Sequence, residues 1–309
     1  LFIDTEGGVT INGASTVSTA DVSASNGVIH IVDAVIGLPT VVDHATANNN
    51  FSSLVEALTT GTPGTDFVSV LSGDGPFTVF APDNDAFSAF TNPDGNALEN
   101  ILSNHVISGA AAFSTVLANS YVETLGTNAD GDALSLYINT DNGVTLNGIS
   151  SVAAADVVAT NGVIHAVDAV IDIPTVVTFA AADPTFSTLV TALTDLTPGT
   201  DFVATLSGDG PFTVFAPTND AFDALAAIPE ESVLTQVLLH HVVSGNVRSG
   251  DLTDGIMPET LEGDMITINL PGSGDNVADI TDGAGNTGIG IIDVDVQAGN
   301  GVIHVLNQI

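Results

Sequence analysis

The residues best suited to chemistry in this chain are histidines that recur at fixed intervals. The pentapeptide Asn-Gly-Val-Ile-His ends at His30, His165 and His304, and a second histidine recurs as His105 and His241. Imidazole titrates near neutral pH and binds metals, so such a residue could be a proton switch or a metal ligand. Strand alternation, however, places His165 on one face with the valines two residues away. We therefore favour partly buried, hydrogen-bonded structural histidines.

Acidic side chains form the second group that could do chemistry. Asn128, Asp130 and Asp132 alternate through a glycine-containing turn, and Asp293 and Asp295 alternate on a predicted strand. Hard cations such as Ca²⁺ prefer clusters of carboxylate and carbonyl oxygens. Because no twelve-residue loop with a terminal glutamate accompanies these residues, we favour solvated turn acids. Calcium at these positions is the alternative, and no other cofactor is expected.

Motifs for nucleophilic or phosphate chemistry do not occur in the sequence. There is no Gly-x-Ser-x-Gly, no His-Glu-x-x-His and no Gly-x-x-x-x-Gly-Lys, and a Ser-x-x-Lys motif would need a lysine that the chain lacks. The chain has no cysteine, which removes disulfides, thiolates and cysteine-ligated zinc. We predict that the protein is not an enzyme and has no catalytic residues.

The charge composition is one-sided. The 309 residues include 37 Asp and Glu but one cation, Arg248, which gives a formal net charge of −36. Nucleic acids and anionic membrane surfaces are bound through Lys and Arg, so we exclude both as partners. No apolar run approaches the ~20 residues of a membrane span, so membrane insertion is not expected. The composition favours an exported protein in salt, where like charges are screened within about 10 Å.

Repeated sequence blocks divide the chain into domains. Residues 73–82 return unchanged as residues 208–217, at an offset of 135 residues. The spacing predicts the closing part of one domain in residues 1–38 and complete domains in residues 39–174 and 175–309. The links between domains are short and contain proline, which favours a stiff head-to-tail array. For residues 1–38 we favour a processed or partial chain over a segment that docks on a neighbouring chain.

The helices and strands that position these residues are predicted to form an α+β fold. Apolar residues at i, i+3, i+4 and i+7 predict a helix over 51–58 and another over 186–193. A strand is predicted over 76–80, a short helix over 84–87, and a helix running into a strand over 101–106 and 233–243. Each domain closes with a hairpin, for which an Asn161-Gly162 turn is predicted. The class is therefore one helical portion over a mostly antiparallel sheet.

Three blocks together resemble the fasciclin domain, in its bacterial type. Thr-Val-Phe-Ala-Pro-Thr-Asn-Asp-Ala-Phe at 213–222 resembles its first block, residues 238–245 its central Tyr-His block, and residues 161–170 its closing block. Asn104 and His240 replace the central tyrosine, which departs from the family pattern. We assign structural roles to the residues at the motif positions. These residues are Thr78, Pro82, Asp85, Phe87, His105, Asn161, His165, Thr213, Pro217, Asp220, Phe222, His241, Asn300 and His304.

The resemblance implies fasciclin-like domains in tandem, each a mostly antiparallel β-sheet wedge with several short helices. It also implies a secreted or cell-surface adhesion or matrix module whose partner is an unidentified protein, matrix or cell-surface ligand. The alternative is a structural subunit of an extracellular filament or surface layer, whose partner is a second copy of the chain. Glycan binding is disfavoured, because the chain has no Trp and only two Tyr.

Overall fold

The computed structural model describes residues 1–62 and 64–309, which form two compact units. Unit 1 comprises Leu1–Asn119, Thr124–Gly126 and Thr140–Asp172. Unit 2 comprises Ser120–Glu123, Thr127–Asn139 and Ile173–Ile309. Most of residues 120–139 thus belong to unit 2, although the repeat spacing assigns them to the predicted domain 39–174.

Unit 1 begins with a small antiparallel sheet, which we call the open sheet. Its strands, in the spatial order β1-β2-β3-β4, are β1 Ile3–Asp4, β2 Thr10–Ile11, β3 Ser15–Ala24 and β4 Gly27–Val32. Two register shifts interrupt the pairing of β3 with β4, at Val17/Thr19 and Thr19/Val22. Strand β4 forms one edge of this sheet.

The remainder of unit 1 contains five short α-helices. They are α1 Val41–Ala47, α2 Ser52–Glu56, α3 Phe67–Leu71, α4 Asn84–Ala89 and α5 Leu98–Ser103, with a 3₁₀ turn at Asn49–Phe51 and a π turn at Ala57–Gly61. Side-chain caps determine where they start. Thr40 and Asp43 form a capping box before α1, and Asp83 accepts a hydrogen bond from the amide of Ala86 at the start of α4.

The strands of the predicted domain 39–174 fall into two groups. In chain order they are β5 Phe77–Pro82, β6 Val106–Ser108, β7 Ser120–Thr127, β8 Ala133–Asn139, β9 Thr145–Leu146, β10 Ser150–Ala159 and β11 Gly162–Val167. In unit 1 the order is β6-β5-β11-β10-β9, in which only β5 and β11 run parallel. Strands β7 and β8 pair as an antiparallel ribbon.

Unit 2 repeats this plan. Its helices are α6 Val176–Ala182, α7 Ser187–Thr194, α8 Phe202–Leu206, α9 Asn219–Asp223 and α10 Glu231–His240, with 3₁₀ turns at Pro184–Phe186 and Ser249–Asp251. Besides the ribbon of β7 and β8, most of which belongs to unit 2, its strands are β12 Phe212–Pro217, β13 Val242–Ser244, β14 Thr267–Asn269, β15 Ala278–Thr281, β16 Ile289–Ala298 and β17 Gly301–Leu306. The order is β13-β12-β17-β16-β15-β14, and again only the β12–β17 pair is parallel.

Each unit buries its own apolar core between helices and sheet. In unit 1, Phe51 and Leu54 of the predicted stripe pack against Phe67 and Ile164. In unit 2, Phe186 occupies the place that corresponds to Phe51. These cores confirm the predicted α+β class. In the described part of the chain, no single helix is long and apolar enough to cross a membrane. Helix α6 and residues 184–194 together have the required length and apolar composition, but the chain bends by 94° between them.

The turn predicted at Asn161-Gly162 is wrong by one residue. Ala159 pairs with Gly162, so the two-residue loop consists of residues 160 and 161, and Gly162 is the first residue of β11. A Cβ atom on Gly162 would overlap the carbonyl oxygen of Phe77 on the parallel strand. The glycine is therefore needed for the close approach of two strands rather than for the turn.

Candidate functional site

Two asparagines join the closing hairpin to the helical layer of their unit. The side-chain oxygen of Asn161 accepts the amide of Val41 at 3.0 Å, and its nitrogen donates to the carbonyls of Leu71 and Gly73 at 2.7 and 2.9 Å. Asn300 makes the same three bonds in unit 2, to Val176, Leu206 and Gly208. One buried amide thus fixes the start of a helix and a loop relative to the hairpin.

The histidine of each closing strand bonds to main-chain groups on both sides. Nε2 of His165 donates to the carbonyl of Ala112 at 2.9 Å, and Nδ1 accepts the amide of Asp156 at 3.4 Å. His304 repeats this with Val247 and Asp295. Both histidines are fully buried, and burial lowers the pKa of His304. Two main-chain bonds and no free ring nitrogen are the geometry of a structural histidine.

The aspartates that face these histidines occupy left-handed backbone positions in all three copies. Asp21, Asp156 and Asp295 have φ of 58°, 63° and 62°, where the long strand bulges. The carboxylate of Asp156 accepts both the amide and the hydroxyl of Ser114, at 2.7 and 2.6 Å. These hydrogen bonds hold the pKa of Asp156 below its usual range. The cluster of serine, aspartate and histidine stabilises the bulge, because Ser114 binds the carboxylate of Asp156 while His165 accepts the main-chain amide of the same residue.

The second pair of histidines lies at the end of the central helix. Nδ1 of His105 donates to the carbonyl of Ile101 at 2.7 Å, and Nε2 accepts the amide of Ile171 at 2.9 Å. Burial lowers the pKa of His105 to about 4. Nδ1 of His241 donates to Val237 at 2.7 Å, and burial, aided by the nearby His240, lowers its pKa. Both rings are therefore neutral at physiological pH.

The other motif residues connect the opening strand to its surroundings. The hydroxyl of Thr78 donates to the carbonyl of Ala110 and accepts the amide of Ala112, at 2.9 and 2.8 Å. Thr213 makes the equivalent bonds to Gly245 and Val247. Pro82 and Pro217 end the opening strands, Asp85 and Asp220 lie exposed in the first turn of the next helix, and Phe87 and Phe222 of that helix pack on the core.

Two of the five calcium candidates converge on the single arginine. Nη1 of Arg248 donates to Asp132 at 3.1 Å, and Nη2 lies 3.8 Å from Asp295. Amides from Asn128 and Asn246 complete the shell of Asp132, each at 3.0 Å. Burial opposes the charge of Asp132, but the bonds from Asn128 and Arg248 outweigh it and lower its pKa. A guanidinium and amides thus occupy the place that a calcium ion would need.

The structure does not assemble the other candidates into a metal site. Asp130 is exposed, and its amide donates to the Asn128 side chain at 3.0 Å. Asp293 is exposed and accepts the amide of Val294 at 2.8 Å. Over residues 1–62 and 64–309, no group of three or more His, Cys, Asp or Glu is arranged to hold a metal ion. Asp130 thus lies in a turn, and Asp293 lies within β16 where the pairing with β17 shifts register.

A cavity of about 510 Å³ lies in unit 2 beside the central helix. Apolar side chains that include Phe215, Leu238 and Ile289 line most of it. His240 and Glu262 also line it, with 3.6 Å between Nδ1 and Oε2. This volume falls in the range of small-molecule pockets. His241 contributes to the wall, but its Nδ1 is committed to Val237.

Sequence reasoning missed Arg248 as the centre of a polar network. It also missed Ser114 and Ser249, whose amides and hydroxyls bind the bulge aspartates. A usable signal was present, because both serines recur at the 135-residue offset of the repeat. The pairing of Asp132 with Arg248 carried no such signal, since 116 residues separate them.

The fold and these networks define a class of repeated α+β domain, in which a histidine-bearing closing strand runs parallel to an opening strand. The family model of the fasciclin domain matches residues 1–39, 49–174 and 184–309, and the chain belongs to this family. A solved FAS1 domain pair from the insect cell adhesion molecule Fasciclin I is similar in fold, with a TM-score of 0.51 and 19% identity, over 84% of this chain and 96% of that one.

Curated relatives come from animals and bacteria. Human periostin is 29% identical over 283 residues, 87% of this chain and 32% of its own length. Pig transforming growth factor-beta-induced protein ig-h3 is 30% identical over 276 residues, 84% of this chain and 38% of its own length. Protein sll1483 of Synechocystis is 39% identical over 143 residues, 44% of this chain and 72% of its own length. The chain thus spans about a third of the two animal proteins.

Proposed function

We propose that this chain is an extracellular or cell-surface adhesion module that binds a protein, matrix or cell-surface ligand through its domain surfaces, without catalysis. The observation that carries the proposal is that the side chains best suited to chemistry are engaged in holding the fold together. His165, His304 and Asn161 are buried and bonded to main-chain groups. Side chains held in this way position strands, so a partner would be bound by residues on the surface of the domains. The family membership and the insect cell adhesion molecule of the same fold support this function.

The surface composition indicates what kind of contact such a partner makes. The chain offers 37 carboxylates and one guanidinium, so it can supply almost no cationic side chain of its own. A partner would therefore present its own Lys or Arg, and the attraction would be screened by salt. Neither nucleic-acid binding nor membrane insertion is part of this proposal. A cell-surface glycolipoprotein, MPB83 of Mycobacterium bovis, is 40% identical over 100 residues, which supports a secreted or surface location.

The experiment compares two kinds of bead on surfaces coated with extracellular matrix. One kind carries the folded 309-residue chain, and the other carries the same chain after heat denaturation, so the charge is matched. We expect that the folded chain retains beads through washing in 0.15 M NaCl and that the denatured chain does not. Equal retention of the two kinds would show that net charge alone is responsible and would contradict the proposal.

We propose further that the module works without a bound cofactor. Arg248 already pairs with Asp132 at 3.1 Å and lies 3.8 Å from Asp295, so calcium would have to displace it. The melting temperature of the chain should therefore be equal in millimolar CaCl₂ and in MgCl₂ of the same concentration. A rise specific to calcium would show that a calcium site exists.

Self-assembly is the second candidate function, and apolar side chains on the surface of the complete domains favour it. Val158 of β10 is 60% exposed and Val233 of α10 is 50% exposed, so contact between copies would bury apolar surface. A structural subunit would form particles that grow with protein concentration and with salt, because salt screens the like charges. Light scattering and electron microscopy of the 309-residue chain measure this. A monomeric mass at every concentration and salt would rule out self-assembly as the function.

A further inference from the structure

A second cavity in unit 2, of about 260 Å³, lies between the helices α6, α7 and α8 and the sheet. We call it the helical pocket. Buried side chains of the core, which include Phe186, Leu189 and Ile303, form its inner wall. Protein interiors contain few voids larger than a water molecule, so an apolar space of this size indicates a place for a ligand.

The lining of the helical pocket is almost entirely hydrocarbon. Among the described residues that line it, none is charged, and Thr194 supplies the one side-chain hydroxyl. That hydroxyl donates to the carbonyl of Val190 at 2.9 Å, so its proton is committed to the main chain of its own helix. A polar group buried here would lose its hydrogen bonds to water with little replacement. The lining therefore selects a hydrocarbon group.

The helical pocket is open to solvent between the helices. Ala181 and Thr194 are exposed, and Val203 is 41% exposed, although all three also line the pocket. A small molecule can therefore enter without unfolding of the domain, and a group attached to its buried part can remain in water.

Unit 1 contains a smaller version of the same pocket. Each described residue that lines it has its repeat equivalent in the helical pocket, but its volume is only about 40 Å³. At these shared positions the residue type differs once, with Thr46 in unit 1 and Ala181 in unit 2. In addition, Ala57–Gly61 form a π turn, whereas α7 continues as an α-helix to Thr194. The larger space is thus a property of unit 2 and not of the repeat as such.

The charge of the chain limits the head group that such a ligand can carry. The chain has 37 carboxylates and one guanidinium. Two of these carboxylates belong to Asp195 and Asp201, which are exposed and directly adjoin the lining residues Thr194 and Phe202 in sequence. An anionic group at the opening would be repelled by this field, and a cationic group would be attracted.

We propose that the helical pocket binds the hydrocarbon chain of a small amphiphile whose head group is not anionic. The chain fills the apolar space, and the head group stays in water at the opening. A cavity of about 150 Å³ lined by Leu, Ile and Phe binds benzene, so the helical pocket has room for a chain of about six carbons. This site goes beyond the proposed adhesion function, which does not use it.

A series of 1-alkanols from butanol to octanol tests the proposal by isothermal titration calorimetry of the 309-residue chain. The dissociation constant should fall about fourfold with each added methylene, because each is removed from water, until the chain fills the pocket. Hexylamine at pH 7 should bind at least as tightly as hexanol. Hexanoate should bind about tenfold more weakly, because its carboxylate is repelled.

Substitutions at one position of the two pockets locate the site. Ala180 and Ala45 are half-buried lining residues that correspond in the repeat. Ala180→Leu fills part of the helical pocket and should weaken the binding of hexanol by about tenfold or more. Ala45→Leu is the matched control and should leave the affinity unchanged, because the unit 1 pocket is too small for the ligand. Unchanged hydrogen exchange of β17 verifies that the Ala180→Leu chain remains folded.

Three results would overturn the proposal. Equal affinity of the parent and the Ala180→Leu chain for hexanol would place the ligand elsewhere, as in the cavity beside the central helix. Undetectable binding, or a dissociation constant that does not depend on chain length, would show that the pocket does not bury hydrocarbon. Equal affinity for hexanoate and hexanol would contradict the assigned class of head group. The bead experiment above uses no alkanol, so the adhesion function is tested separately.

Discussion

At the scale of single residues, the repeated histidines are held by main-chain hydrogen bonds. His105 uses both ring nitrogens within unit 1, and its ring is fully buried. The repeat identified these residues, but only the structure shows which carbonyl and amide each ring meets. Those partners come from loops that are distant in sequence, such as Ala112 for His165.

The lowered pKa of His105 predicts a loss of stability in acid. Because the pKa is about 4 in the folded chain and 6.5 in the reference state, the unfolded chain takes up a proton first as the pH falls. The stability that neutral His105 contributes to the folded chain is therefore fully present above pH 6.5. About 3 kcal/mol of the free energy of unfolding is lost as the pH falls from 6.5 to 4. Hydrogen exchange of β5 at several pH values measures the free energy of opening in unit 1.

Substitution isolates the His105 contribution. His105→Gln should lower the stability of unit 1 at pH 7.5 and flatten its decline towards pH 4 relative to the parent chain. His30→Gln is the matched control, because His30 is exposed, and should change neither. A His105→Gln chain with the parent's full pH dependence would contradict this account.

The buried His165 should act on stability alone. His165→Asn removes the bond to Ala112 and leaves space beside Phe80, so the free energy of unfolding of unit 1 should fall by about 2 kcal/mol. The measurement is a urea titration followed by circular dichroism, with His30→Asn as the control. Loss of bead retention at an unchanged melting temperature would instead assign His165 to ligand binding.

At the scale of elements, periodic patterns in the sequence predicted several helices and strands, but not the helices α1, α3, α6 and α8 or the ribbon of β7 and β8. The stripe at 51–58 predicts a helix, and the chain there forms α2 between a 3₁₀ turn and a π turn. Helix α5 followed by β6 matches the helix and strand predicted over 101–106. These elements depend on local patterns of apolar side chains, which can be read without the tertiary structure.

Features that depend on contacts between distant segments could not be predicted in this way. The Asn-Gly turn was placed one residue late, because the demand for Gly162 comes from the backbone of β5. The acids of 128–132 suggested a cation site, because their partner Arg248 lies far along the chain.

Asn161 provides a test at this scale, because one side chain joins three elements. Asn161→Ala leaves the amide of Val41 and two carbonyls without their partner and should destabilise unit 1 by about 3 kcal/mol. The equivalent substitution in the open sheet, Asn26→Ala, is the matched control and should have little effect, because Asn26 is exposed. Urea titration of both variants gives the comparison, and equal stabilities would refute the joining role.

At the scale of the whole molecule, the net charge of −36 is spread over every repeat. With one guanidinium in the chain, ion pairs can offset little of the repulsion between carboxylates. Fasciclin domains of this composition therefore rely on apolar cores and hydrogen bonds, and salt in the medium reduces the repulsion within about a Debye length.

Salt should therefore stabilise the folded chain. Raising NaCl from 0.05 to 1 M shortens the screening length several-fold, and the melting temperature should rise by several degrees. An equally concentrated series in sucrose separates screening from general solute effects. A melting temperature that is flat or falling in NaCl would show that repulsion between carboxylates does not limit stability.

The central claim is that the folded surfaces bind a specific extracellular partner, and a competition isotherm tests it most directly. Labelled 309-residue chain is titrated onto intact extracellular matrix in 0.15 M NaCl, with and without excess unlabelled chain. We predict saturable binding that the folded competitor removes and the heat-denatured competitor does not. Binding that rises linearly without saturation, or that both competitors remove equally, would contradict the claim.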